Sequence, residues 1–110
     1  MATTLPPIVA RYFRAEAACD VEALAACFTP EGRLVDEART IEGPEAIASW
    51  MRTVMSKHHP YQVELLESSE KDGGVVIVRG RVSRHAPNSP VEMNHKFQVV
   101  HGKIARLEIR

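Results

Sequence analysis

The chain has 110 residues, with 14 Lys+Arg balanced by 14 Asp+Glu. That leaves room for one domain of ordinary size and removes the positive field that a nucleic-acid binder or a polybasic membrane binder needs. Apolar content of 45% with 25% charged residues is that of a globular chain, not of a disordered one. No apolar run approaches the roughly 18 residues of a membrane span. The opening stretch Met1-Ala2-Thr3-Thr4-Leu5-Pro6-Pro7 has no signal-peptide pattern. Two cysteines, Cys19 and Cys27, are too few for a disulfide framework, and both read as small buried hydrophobes among alanines. A soluble, cytoplasmic single domain over residues 1–110 is the expectation.

The first sixty residues read as helical. Leu5, Ile8, Val9, Tyr12 and Phe13 follow the i, i+3, i+4 stripe of an amphipathic helix. Thr4 is its expected cap, and Pro6 and Pro7 fit its first turn. Asp20 caps a second helix that carries Val21, Leu24, Ala25 and Phe28 inward, and Thr29-Pro30-Glu31-Gly32 is expected to stop it. After a short extended piece, Gly43-Pro44-Glu45 opens a third helix, with Ile47, Trp50, Met51, Val54 and Met55 on its apolar stripe and Pro60 at its end.

From Tyr61 the hydrophobic period becomes two, the mark of strands with one buried face. Tyr61, Val63 and Leu65 alternate with Gln62 and Glu64. Asp72-Gly73-Gly74 turns the chain into Val75 to Arg84, where Val76, Val78, Gly80 and Val82 share a face. After the loop Ala86-Pro87-Asn88-Ser89-Pro90 come Val91, Met93, His95, Phe97 and Val99 on one face. His101-Gly102 turns into a last strand with Ala105, Leu107 and Ile109 inward. Helices followed by four antiparallel strands predict an α+β fold.

The residues Ile8-Val9-Ala10-Arg11-Tyr12-Phe13, Asp20-Val21-Glu22-Ala23-Leu24 and Cys27-Phe28-Thr29-Pro30-Glu31-Gly32 carry a family likeness. It continues through Val35-Asp36-Glu37, Ile41-Glu42-Gly43, Ala46-Ile47-Ala48-Ser49-Trp50 and the closing Gly102-Lys103-Ile104-Ala105. In these, and in its order of elements, the chain resembles the superfamily of nuclear transport factor 2, ketosteroid isomerase and SnoaL-like polyketide cyclases. The resemblance implies a cone-shaped, cystatin-like fold: three N-terminal helices packed on a curved, mainly antiparallel sheet, with an apolar pocket at the open end. It is specific for fold and weak for activity, because the superfamily hosts isomerases, cyclases, hydrolases and proteins without catalysis.

Within that resemblance, aligning Tyr12 and Phe28 with ketosteroid isomerase places Asp36 at the proton-shuttling aspartate and Tyr12 at the oxyanion-binding tyrosine. Alternation also puts Asp36 inward with Leu34, where an apolar setting raises a carboxyl toward general-base strength. Asp36 fits equally a turn-opening residue paired with Arg39 or a backbone amide. Tyr12 fits a core tyrosine bonded to a carbonyl, or one reaching a ligand, a water or Asp36. The third position of the isomerase site falls on Asn94 by gapless counting. Alternation makes His95 the inward residue instead, because a slip would expose Met93, Phe97 and Val99 together. Asp36 and His95 are then an expected acid–base pair. Trp50 reads as a pocket wall or as plain core, joined by Leu34, Met93 and Phe97. Arg84 reads as a residue at the mouth or a solvated strand end.

No zinc spacing, P-loop, Rossmann turn or nucleophile elbow occurs, so the reading includes no cofactor, no metal and no covalent chemistry. Its partner is a small apolar or carbonyl-bearing molecule. The outer face, with Glu64, Arg79, Arg81, Glu92, Asn94, Lys96, Gln98, Arg106 and Glu108, is solvated or, as the resemblance implies, a homodimer surface. The expected function is that of a pocket protein, either an isomerase or cyclase abstracting a proton next to a carbonyl, or a non-catalytic ligand-binding or protein-interaction module.

Overall fold

Pro7 opens α1 (Pro7–Ala17) in the turn where an amide hydrogen has no intrahelical acceptor. Its buried stripe of Ile8, Val9, Tyr12 and Phe13 continues to Ala15 and Glu16. Asp20 caps α2 (Val21–Ala25), its Oδ1 accepting the Ala23 amide at 3.1 Å. The computed structural model describes residues 5–36, 39–57, 62–83 and 89–110. Thr4, Tyr61, Arg84 and the loop residues 86–88 lie outside these, as do His58, His59, Pro60 and His85.

The second helix is shorter than its sequence pattern suggests. Phe28 begins a strand, β1 (Phe28–Asp36), so Thr29-Pro30-Glu31-Gly32 is not a helix stop. Pairing decides this: the Ile104 amide donates to the Cys27 carbonyl at 2.9 Å, and Phe28 faces Ile104 in the last strand. Pro30, which has no amide to give, and Gly32 sit in the register shift between Phe28 and Arg33. A Cβ on Gly32 would lie 3.0 Å from Phe28 Cβ and the Thr29 carbonyl oxygen, so a side chain there would push these neighbours apart. Cys27 is buried between α2 and β1. Cys19 is not: it lies exposed in the turn after α1, at φ 55.

The remaining elements are β2 (Arg39–Glu42), α3 (Pro44–Lys57), β3 (Gln62–Lys71), β4 (Val75–Ser83), β5 (Val91–Val100) and β6 (Lys103–Ile109). They complete an α+β fold around one curved, mixed six-stranded sheet in the order β2-β1-β6-β5-β4-β3. β1 and β6 run parallel, and the other neighbours are antiparallel. Only α1 and α2 precede the sheet; α3 is inserted between β2 and β3, packing against β1 and β2.

Residues in register form rows across the inner face. One row is Leu34, Leu107, Phe97 and Val76. The next toward the strand end is Asp36, Ile109, His95 and Val78, and Met93 opposite Gly80 lies beyond it. Alternation holds along β5, with His95 buried and Asn94 exposed. It breaks in β6, where the register shifts opposite Gln98/Val99 and Ile104, not Ala105, is the fully buried residue. A bulge adds one residue and moves everything before it to the other face. A second shift between Leu65 and Glu67 lets Leu65 stand 36% exposed on the edge strand.

On the outer face, Arg79 bonds Glu92 at 3.0 Å and Glu67 at 3.3 Å, and Arg81 bonds Glu64 at 3.1 Å. These are solvated cross-strand pairs, worth at most about 1 kcal/mol each. No described helix is long and apolar enough to cross a membrane.

Candidate functional site

Aromatic rings assemble the centre of the interior. Tyr12 meets Phe97 edge-on at 5.4 Å and Phe28 at 6.2 Å. One residue on, Phe13 meets His95 at 5.4 Å and Phe97 at 5.6 Å. Helix α1 therefore climbs β5 from Phe97 toward His95. Its last turn reaches the strand end, where Ala17 lines a hollow of about 360 Å³ with Gln62, Val63, Glu64 and Ser83. Glu16, the residue before, is carried into the interior beside that end.

Glu16 was not singled out from the sequence, yet among the described residues it is the buried acid, at 2% exposure. The signal was present: it stands four residues after Tyr12 and seven after Val9, on the apolar stripe. The Tyr12 hydroxyl donates to Glu16 Oε2 at 3.5 Å, longer than the roughly 2.5–3.0 Å of an ordinary O–H···O bond. Glu16 Oε1 is buried without a hydrogen-bond partner. Burial pushes the carboxyl up to about 8, with the tyrosine bond opposing, so Glu16 is largely protonated at neutral pH.

His95, 1% exposed, stacks over Phe97 at 6.4 Å and leaves Nδ1 buried without a partner. Burial pulls its imidazole down to about 4, partly offset by the backbone of Val78 and Met93. At neutral pH it is uncharged. A Cβ on Gly80 would lie 3.0 Å from Val63 Cγ1 and at an ordinary contact distance of 3.6 Å from His95 Cε1, so the space the glycine leaves is taken up by Val63. A buried polar atom without a partner costs about 1–3 kcal/mol, which makes Glu16 Oε1 and His95 Nδ1 conspicuous in an apolar core.

Asp36 ends β1 half-buried, paired in register with Arg39 on one side and Ile109 on the other. Ile109 in turn faces His95. Asp36 and His95 thus share a row but stand two strand spacings apart, about 9.5 Å between Cα atoms. Between the two members of the expected acid–base pair, the row holds Ile109. Leu34 and Phe97 lie one row deeper and are fully buried; Met93 and Trp50 are half-buried at the edge of the core. Among the described residues, no three His, Cys, Asp or Glu side chains gather closely enough to hold a metal ion.

The SnoaL-like domain family matches residues 9–107. The chain belongs to that family. A Sinorhizobium meliloti protein provisionally assigned as a polyketide cyclase has the same fold at a TM-score of 0.90 and 39% identity, over 96% of this chain and 95% of that one. A Catenulispora acidiphila protein with a ketosteroid isomerase-like fold, crystallised with trimethylamine, gives 0.86 at 21% identity over 97% and 86%. A cystatin-fold protein of Novosphingobium aromaticivorans gives 0.85 at 17% identity over 99% of both chains. These last two likenesses bear on the fold alone. No curated protein matches the chain.

For this SnoaL-like domain, a second hollow of about 800 Å³ lies at the opposite end of the sheet, lined by residues such as Phe28, Pro44, Val100 and Lys103. None of Asp36, Tyr12 or His95 borders it. Asp36 and His95 lie toward the other end, where β1 and β6 finish and β5 begins.

Proposed function

We propose that this SnoaL-like domain binds a small apolar, carbonyl-bearing ring compound at the strand end bordered by Asp36 and Met93. There it catalyses, without a cofactor, proton transfer next to the carbonyl, in the manner of an isomerase or cyclase. The observation that carries the reading is the row Asp36, Ile109, His95, which sets a half-buried carboxylate and a buried neutral imidazole on one face with an apolar floor between them. A separation of about 9.5 Å between Cα atoms suits a ligand lying between two polar groups, not a direct bond. Asp36 takes the proton from the carbon next to the carbonyl. The C–H electron pair becomes the enolate double bond, and the charge moving to oxygen meets a hydrogen bond from neutral His95 or from Tyr12. Trp50 and Met93 flank the ring, over Leu34 and Phe97. The 39% identity to a provisionally assigned polyketide cyclase supports the same class, because ring closure by carbon also starts from an enolate.

The test is hydrogen–deuterium exchange at the α-carbon of 2-tetralone in D2O, followed by proton NMR. The wild-type chain should accelerate exchange, and Asp36→Asn should slow it by about 10²–10⁴-fold with the fold intact. Equal rates for the two, or no acceleration by wild type, overturn the catalytic reading. The domain pairs as a homodimer through the outer sheet face, a reading supported by the mixed-sign side chains Arg79, Arg81, Glu64 and Glu92. Light scattering should then give about twice 12.2 kDa. A monomer at every concentration removes that part.

A further inference from the structure

We propose that Glu16 is a binding residue that selects ligands bearing a neutral carbonyl or hydroxyl oxygen, its carboxyl donating to that oxygen above the His95 imidazole. The inference rests on the interior being a ligand site, as proposed above, but not on Asp36 acting as a base.

Three observations converge on it. Glu16 is almost wholly buried, yet Oε1 has no partner and Oε2 receives only the long 3.5 Å bond from Tyr12. A carboxyl kept for structure would be expected to have both oxygens engaged, because an unsatisfied buried oxygen destabilises the fold. The second orphan, His95 Nδ1, lies on the sheet under the same helix, and Phe13 links the two: its ring touches the imidazole, and Glu16 follows it by one helical turn. Third, Glu16 and His95 are the buried polar or charged side chains among the described residues, so a ligand oxygen there meets these two groups and no buried lysine or arginine. An uncharged oxygen suits them, since an anion would be buried without a counter-charge.

Tyr12 from its own helix is the titratable group bonded to Glu16; on the sheet beneath, His95 meets Phe13 one turn earlier, and Glu64 of β3 lines the same hollow as Ala17. His95 is neutral above about pH 4. Glu16, near 8, changes its charge between pH 7 and pH 9.

The experiment compares 2-tetralone with tetralin, the same ring system without the oxygen, by calorimetric titration at pH 7. Wild type should bind the ketone at least about tenfold more tightly, since a site built to hydrogen-bond an oxygen discriminates against the analogue lacking it. Glu16→Leu should bind 2-tetralone about tenfold more weakly while leaving tetralin unchanged, abolishing the preference. Glu16→Gln keeps a donor and should retain the preference. Between pH 7 and pH 9 the wild-type affinity for 2-tetralone should fall about tenfold as a carboxyl near 8 ionises, whereas Glu16→Gln stays flat. Thermal melts of each variant confirm folding.

If Glu16→Leu weakens both compounds equally, the carboxyl has a packing role and the proposal fails. If it weakens neither, Glu16 is satisfied inside the protein and the proposal also fails. Binding of neither compound by wild type removes the ligand site itself, and the proposed function with it. Loss of exchange activity in Asp36→Asn alongside an unaltered ketone preference in Glu16→Leu leaves the catalytic reading standing without this one. A Glu16-dependent preference with no exchange activity does the reverse.

Discussion

Glu16→Gln should match the wild type in stability near pH 4.5 and exceed it by up to about 5 kcal/mol at pH 8. The folded-state carboxyl sits at about 8 against an ordinary value of 4.5. Below 4.5 it is protonated whether the chain is folded or not, and it costs nothing through titration. As the pH rises, the unfolded chain releases the proton first, so stability is lost until the folded carboxyl ionises too, near pH 8. His95 runs the other way: its folded value of about 4 lies under an ordinary 6.5, so its contribution is complete above 6.5 and is lost as the pH falls toward 4. The difference between wild type and Glu16→Gln cancels the histidine and isolates the carboxyl. Urea unfolding at pH 4.5, 6, 7 and 8 measures it. Parallel curves for the two proteins would mean that water or a partner already solvates Glu16 in the folded state.

Phe97→Ala should cost about 3–5 kcal/mol, the range for removing a fully buried aromatic ring. Phe97 lies in the row just beneath His95 and is met by Tyr12 at 5.4 Å, Phe13 at 5.6 Å and His95 at 6.4 Å. Those neighbours belong to a helix and a strand that hold each other in place, so the space left by the ring closes only partly. Leu65→Ala, on the exposed edge of β3, should cost far less, within about 1 kcal/mol. Urea midpoints of the two variants give the comparison. A Phe97→Ala loss below about 1 kcal/mol would show that the interior collapses freely, which contradicts an ordered aromatic floor under the site.

Local periodicity was strong enough to read most elements. Along β5, five inward positions alternate with four polar ones, so His95 could be placed inside and Asn94 outside without a structure. The Asp20 cap and the apolar stripes of α1 and α3 are equally local, because hydrogen bonds and side-chain spacing within a few residues decide them. Asp36 could be placed on the inner face from the strand pattern alone. Arg84, expected at the mouth, lies outside the described residues.

Where distant strands pair, local reading failed. Thr29-Pro30-Glu31-Gly32 has the composition of a turn, yet parallel pairing with β6, seventy residues on in round numbers, draws it into a strand. Ala105 was expected inward, but a bulge against β5 exchanges it with Ile104. Glu16 stands on the same stripe, but helix spacing shows that a position is buried, not whether a carboxyl placed there finds a partner.

By itself, then, the sequence determined the secondary elements, the faces they bury and a family likeness covering nearly the whole chain. Those depend on side-chain type at short separations. Only the tertiary structure decided which polar groups share the interior: Ile109 between Asp36 and His95, and Glu16 brought over the sheet with an oxygen left unbonded. Such neighbours are set by strand register and helix docking, and the energy of a buried polar atom depends on what lies within about 3 Å of it in space, not on what precedes it in the chain.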